Sequence, residues 1–271
     1  MIRAPHKARM LALGGDAFPT DTESLRAALA DGAKLAGASD ATISLEGNFP
    51  SLDSLRMKLA GVRLDSRRPL AAAAENASGG FFSRTVEVTA DPALLATVPI
   101  RMQLRAEDCV LAFGIVENGT RVARLERCST GTFDASAGTA DIEAALFALA
   151  RDAASKHGAE VKSARLTLDA ESSHRLAVTA VAVAKAMLFT ATLTIRGLIE
   201  VDDEFKLRLT NTTCTGDGMI ANLAASQLRP RLAEFEKHEF SLAALLPSGI
   251  RATGIEITGG DALKIHATIA G

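Results

Sequence analysis

Residues 189–211, "FTATLTIRGLIEVDDEFKLRLTN", alternate apolar and polar side chains almost without interruption. Phe189, Ala191, Leu193 and Ile195 fall on one side of an extended chain, with Thr190, Thr192, Thr194 and Arg196 on the other. After a turn at Asp202-Asp203, Phe205, Leu207 and Leu209 alternate with Lys206, Arg208 and Thr210. Successive side chains of a strand point to opposite faces, so period two predicts an antiparallel hairpin with one apolar and one polar face. The pattern returns at the C-terminus. There Ile255 and Ile257 precede a Gly259-Gly260-Asp261 turn, and Leu263, Ile265, Ala267 and Ile269 follow it. Similar strands fit 41–47, 61–66, 84–90, 100–107, 109–117, 120–128 and 161–169. Residues 176–188 are apolar or small at almost every position, which predicts a strand covered on both faces.

Three segments carry helical spacing instead. Thr20 to Glu23 has capping-box spacing, and Leu25, Ala28, Leu29 and Ala33 follow it as one stripe. A second helix begins at Thr139, with Asp141 and Glu143 in its first turn. Its stripe is Ile142, Ala145, Leu146, Leu149 and Ala153, and Gly158 closes it. The third begins after Gly218, with Pro230 expected to kink it. Residues 51–60, after Phe49-Pro50, suggest a short helical turn, and 70–80, "LAAAAENASGG", a loose loop.

The third helix opens on "TGDGMIANL", which has the Gly-x-Gly-x-x-Ala spacing of a dinucleotide turn. That turn needs a buried parallel strand before it and an acid ending a second strand about 20 residues on. The strand before it, "EFKLRLTN", alternates strictly, and Glu234, Glu236 and Glu239 at that distance still belong to the helix or its exit. Gly216 and Gly218 are therefore read as turn residues, with Asp217 as the helix cap.

Few functional groups are left. Net charge is -2, which gives no basic field for nucleic acid. The chain has no Trp or Tyr, so the flat aromatic platforms of sugar and single-strand sites rest on Phe alone. Three cysteines, Cys109, Cys128 and Cys214, without CxxC spacing predict buried free thiols rather than a disulfide framework or zinc site. The five histidines are dispersed, and His238 among acids is the one to suspect as a base. No metal or cofactor motif appears, and neither a signal peptide nor a membrane-spanning run is visible, so a cytoplasmic location is the expectation.

Many strands and few helices must bury one another's apolar sides. A coiled sheet around helices leaves a groove that an alkyl chain can fill, whereas a filled core gives a structural module. Periodicity alone leaves both open.

The C-terminal segment from "TNTTCTGDGMIANL" resembles the end of bacterial LmeA-like phospholipid-binding proteins of the tubular lipid-binding (TULIP, or BPI-like) superfamily. The helix from Gly218, the Leu-Pro-x-Gly-Ile entry at 246–250 and the hairpin at 255–269 carry the resemblance. Upstream, "ATISLEGNFPSLDSLRMKLAGVRLDS" resembles that family's strand, Phe-Pro break, short helix and strand. The resemblance implies an α+β fold: a long coiled antiparallel sheet wrapped around a few long helices as a super-roll. It implies one lipid-binding-type domain over 1–271. Two Ala-rich helices that each lead into an alternating strand suggest, from the residues themselves, pseudo-repeat halves 20–138 and 139–271. It also implies a non-enzymatic lipid-binding or lipid-transfer protein with transient membrane contact and envelope association, and no catalytic residues. The expected lining of the groove is Phe189, Leu193, Ile195, Phe205, Leu207, Leu209, Met219, Ile220 and Leu223. The alternatives are an interaction module with a filled core and a hydrolase built from distant Ser, His and Asp.

Overall fold

The computed structural model describes residues 10–64, 75–116, 119–155, 159–186, 189–202, 205–237, 239–241 and 251–271. Strand accounts for 65% and helix for 19%, which overturns the super-roll expected above. The helices α1 (Thr22–Leu35), α2 (Thr139–Ser155) and α3 (Met219–Phe235) have only 14, 17 and 17 residues. At 1.5 Å per residue they reach about 21–26 Å, too short for a long sheet to wrap around.

The larger sheet has ten strands and is mixed. Its main path runs through β14 (Arg251–Thr258), β15 (Ala262–Ala270), β8 (Thr130–Gly138), β6 (Val98–Ile115), β5 (Glu75–Leu95), β3 (Ser51–Ala60) and β2 (Asp40–Asn48). Three short strands join off this path: β1 (Met10–Leu13), β4 (Val62–Leu64) and β7 (Arg121–Arg127). The second sheet has five strands, in the order β13 (Glu239–Ser241), β12 (Lys206–Asp217), β11 (Phe189–Val201), β10 (Arg175–Ala186) and β9 (Glu160–Ser172).

The chain divides into two compact units. Unit 1 comprises Met1–Ala135, Leu242–Gly254 and His266–Gly271, and unit 2 comprises Ser136–Ser241 and Ile255–Ile265.

Unit 1 has a filled core. Leu25 and Leu29 of α1 are fully buried with Leu52 and Leu55, and Phe81, Leu111 and Phe113 from the strands are buried in the same cluster. The helix starts one residue later than the spacing suggests. Asp21 is the cap: its Oδ1 accepts from Ser24 N at 2.8 Å, and Ser24 Oγ accepts from Asp21 N at 3.1 Å. Residues 51–60 form a strand, not a helical turn. β3 is flanked on both sides, antiparallel to β2 and parallel to β5, and buries Leu52, Leu55 and Met57. Pairing on both edges overrides a local i,i+3 leucine spacing. Residues 75–80, read as loop, already belong to β5, while 70–74 lie outside the described residues. Strands expected at 100–107 and 109–117 are one strand. Pairing to β5 keeps one register across Asp108 (φ 49°), with Ser83 opposite Cys109 and Thr85 opposite Glu107, so the strand continues past the polar break.

Unit 2 follows the period-two reading closely. β10 and β11 pair without a register slip, Leu176 opposite Ile199, Ala180 opposite Ile195 and Ala182 opposite Leu193. Paired residues share a face, so Leu176, Val178, Ala180, Ala182 and Ala184 lie with Ala191, Leu193, Ile195 and Ile199. Ile195 also faces Cys214 and Ile199 faces Leu209, which extends this face onto β12. Apart from Leu176, the described residues of β10 are only half-buried or exposed, so this strand is not covered on both faces as expected.

Helix side chains close the outer edges of this sheet. Glu143 of α2 accepts from Leu166 N of β9 at 2.8 Å. On the far edge, Glu236 accepts from Thr212 N at 2.6 Å, and Arg229 Nε donates to Cys214 O at 3.0 Å. Open strand edges template pairing with other chains, and these bonds occupy the groups that would do so. The double variant Glu143→Ala/Glu236→Ala is expected to elute from a sizing column as larger species than the parent. The Thr212 hydrogen bond holds the Glu236 carboxyl below the usual carboxylate range. The bond therefore persists above that range and is lost as pH falls through the depressed value. Self-association should grow with acid in the parent and not in the double variant.

Candidate functional site

α3 leaves β12 through Gly216, Asp217 and Gly218, then runs back along the strand. Gly216 pairs with Leu193, so it lies on the apolar face, and a Cβ there would collide with the backbone of Ala221. α3 is thus seated on that face, where Ala221 and Ala225 are buried. Gly218, φ 91°, makes the turn, but it is itself the cap residue and no side chain caps the helix. The Asp217 cap expected from sequence does not form. The strand before this turn is antiparallel to its neighbour, unlike the strand of a dinucleotide site.

α2 covers the same face at the opposite edge. It packs along β9. In β9, Val161, Ala164, Leu166 and Leu168, which share the face of Ala184, Ala182, Ala180 and Val178, are buried or half-buried. The alternate residues Ser163, Arg165, Thr167 and Asp169 are exposed.

Two helices over the outer strands leave the middle of the face between them. Strands lie about 4.8 Å apart, so axes over β9 and β12 stand about 14 Å apart. A helix is about 10–12 Å wide with its side chains, so ideal spacing leaves only a narrow trough, about 2–4 Å across, between them. Its floor is Val178, Ala180, Ala182, Ala184, Ala191, Leu193 and Ile195, all half-buried. Alanine at four of these positions gives depth, because a methyl group fills little of the space above the sheet.

The flank of α2 completes the picture. Glu143, Phe147, Ala150 and Ala154 are half-buried at helical spacing and mark the side set on the sheet. α2 runs antiparallel to β9, Glu143 lying opposite Leu166 and Thr139 bonded to the turn at Asp261. For a right-handed helix in that direction, residues about 100° back from the seated side overlook the trough. These are Ile142, Leu146 and Leu149. Leu149 is 68% exposed and Leu146 39%, on the stripe that sequence assigned to packing.

One end of the trough is closed. Leu176 is fully buried, and Leu168, Val201, Ile255 and Ile257 are buried as well. A Cβ on Gly259 would collide with Leu168 O and the Leu176 side chain, so the β14–β15 turn presses directly on the floor. Gly260 N donates to Leu168 O at 2.8 Å, and Ile257 N to Ser173 O at 2.7 Å. At the other end lie Ala184 and Ala191, while Lys185 points to the opposite face.

The structure brings five of the nine expected lining residues to β11 and β12 or the turn between them. Leu193, Ile195, Phe205, Leu207 and Leu209 are all half-buried. Phe205 is in the turn, φ 59°, and donates its N–H to Asp202 O at 2.9 Å. Phe189 opens β11 and Met219, Ile220 and Leu223 open α3; the side chains of these four lie outside the described residues. Sequence reasoning missed the alanine floor and the Leu146/Leu149 rim. An Ala-rich strand beside a helix with a second leucine row is the overlooked signal for them.

A different cleft, of about 380 Å³, lies on unit 1. Arg56, Thr85, Glu87, Arg105, Glu107 and Thr132 line it. Arg56 lies 3.5 Å from Glu46, and Arg105 3.4 Å from Glu87, so its cations already have partners. Walls of this kind suit water better than an alkyl chain.

Groups of catalytic type stay apart. His266 Nδ1 is 2.7 Å from Asp134 Oδ1, and His174 Nδ1 is 2.9 Å from Ser173 Oγ. Neither is bonded to both a hydroxyl and a carboxylate among the described residues, and His238 lies outside them. Among the described residues no group of three His, Cys, Asp or Glu is placed to hold a metal, and no helix is long and apolar enough to cross a membrane.

The cysteines are free and buried. Cys109 follows Asp108 in β6, one residue before the Val110–Arg127 pair of the β6–β7 register, which continues toward Cys128. Burial pushes the Cys109 thiol up to about 12, and charge on Cys128 adds to the rise. Burial also raises Cys128 and Cys214. The thiolate is the reactive form, so all three should react with a disulfide reagent far more slowly in the native protein than in denaturant. A fast native phase, followed by absorbance, would contradict this burial.

Comparison with protein families, curated proteins and solved structures returns no match.

Proposed function

We propose that the chain is a non-enzymatic lipid-binding or lipid-transfer protein that holds an acyl chain in the trough of unit 2. One observation carries the reading: an apolar sheet face, flanked by two helices, is left half-buried while unit 1 of the same chain packs its core fully. Each buried methylene contributes about 0.8 kcal/mol, so a dozen offer about 10 kcal/mol before the costs of association. The site does not depend on a rolled sheet. The floor strands and the two helices suffice, and the LmeA-like resemblance supports the same ligand class.

The test is native mass spectrometry of gently purified protein, followed by uptake of a fluorescent fatty acid. Bound lipid or saturable uptake is expected. Repeated purification without lipid, together with no uptake, would end the proposal.

A second reading, an interaction module, has one observation of its own. Leu149 and Leu146 make an exposed leucine row on α2, the kind of surface that partner proteins cover. It predicts that Leu149→Ser abolishes partner capture while leaving fatty-acid uptake absent in parent and variant alike.

A further inference from the structure

We infer that Cys109 and Cys128 form a preset cross-strand pair that closes to a disulfide and staples the open end of the β6–β7 hairpin. The inference concerns unit 1 and does not depend on lipid binding. Register places the two residues opposite one another. Val110 pairs with Arg127, and Cys109 and Cys128 stand one step further along the two strands. Beyond them Ser129 N still donates to Glu107 O at 2.9 Å, so the strands stay together past the pair. Cys128 O accepts from Gly271 N at 3.2 Å, which turns the Cys128 backbone away from β6. The two residues are therefore a non-hydrogen-bonded pair, in which Cα atoms lie about 4.5 Å apart and side chains are closest. A disulfide spans about 4.4–6.8 Å between Cα atoms. Both side chains are fully buried in one core cluster, so they share a face of the sheet. Charge on Cys128 raises the Cys109 thiol, a second sign that the sulfurs are close.

Closure takes one proton and one electron from each thiol and forms one S–S bond. The oxidant is a small disulfide such as glutathione disulfide, whose own S–S bond breaks to give two thiols. One cysteine of the pair, as thiolate, attacks it and releases the first thiol. The other cysteine then attacks the mixed disulfide and releases the second. Burial shields both thiols in the folded protein, so closure takes place as the chain folds or as the hairpin opens. Once closed, the bond is shielded by the same burial, and a thiol raised to about 12 makes a poor leaving group for its reduction. The pair is thus a structural staple rather than a fast switch.

The experiment uses the full chain carrying Cys214→Ala, a position in unit 2, so that a single intramolecular bond is possible. The protein is held in reduced and oxidised glutathione at urea concentrations from just below the unfolding midpoint to full denaturant. Acid quenching, alkylation and mass spectrometry then count the closed form, which takes up no label. Closure should be about a hundred-fold more favourable below the midpoint than in full denaturant, as for a native bridge over a loop of about 20 residues. Bridged protein, returned to buffer, should melt about 6–12 °C above the reduced form. Closure no more favourable in the folded protein than in denaturant overturns the inference. A bridged form that melts no higher than the reduced one overturns it too, because β6 and β7 would then hold the sulfurs where a bond is strained.

Discussion

Gly32→Ala is expected to destabilise unit 1 by about 2–4 kcal/mol, although the same change in an exposed helix would gain about 1 kcal/mol. Gly32 lies in α1, and a Cβ there would land on Ala12 O of β1. The helix sits against the strand backbone, and Gly14 N donates to Ala28 O at 2.8 Å along the same contact. The added methyl must push α1 away from β1, which also moves Leu25 and Leu29 out of the core. Overpacking against backbone has no flexible side chain to absorb it, so the loss outweighs the helical gain. Gly37→Ala is the control. Nothing lies near its Cβ position, and its φ of 85° alone costs about 1 kcal/mol. Urea unfolding should rank the two well apart. A stabilised Gly32→Ala would mean that α1 is not seated as described.

Ala182→Phe should weaken fatty-acid binding at least a hundred-fold with little loss of stability. Ala182 pairs with Leu193 in the middle of the trough floor, half-buried and facing the gap between α2 and α3. A phenyl ring there takes the volume of several methylenes, each worth about 0.8 kcal/mol to a bound chain. Because the space is open, the ring displaces ligand rather than packed core, and the usual overpacking cost of about 1–3 kcal/mol should not appear. Thermal melts and equilibrium titration together decide the matter. Lost binding with an unchanged melt fits the trough. A large drop in melting temperature would show that the space was already filled.

The sequence made β11, β12 and the final hairpin legible because their alternation is strict and their pairs are neighbours in the chain, whereas β10 was legible as a strand only from its apolar run, and its burial was misjudged. The starts of the three helices were legible too, since each combines a turn residue with a 3.6-residue stripe. What it hid depends on distant pairing. Leu52 and Leu55 look helical until β2 and β5 are seen on either side of β3, and nothing local announces that β3 and β5 are parallel. The super-roll failed on length, since helices of 14 and 17 residues cannot form the axis it needs. The strands that carry the expected lining residues form as β11 and β12, but sequence reasoning singled out neither the alanines of β10 nor the exposed leucines of α2. Alternation names the face a residue occupies. How much of that face the helices cover depends on where the helices sit, and Leu149, placed in a packing stripe by spacing, stands 68% exposed.

The most direct measurement is photocrosslinking of the full chain with a palmitic acid carrying a diazirine near its methyl end, followed by peptide mapping. Adducts should concentrate on β10 and β11 and on the Leu146–Leu149 side of α2, and excess unlabelled palmitate should remove them. Adducts spread over unit 1, or undiminished by competitor, would contradict the proposal that a lipid is held between α2 and α3.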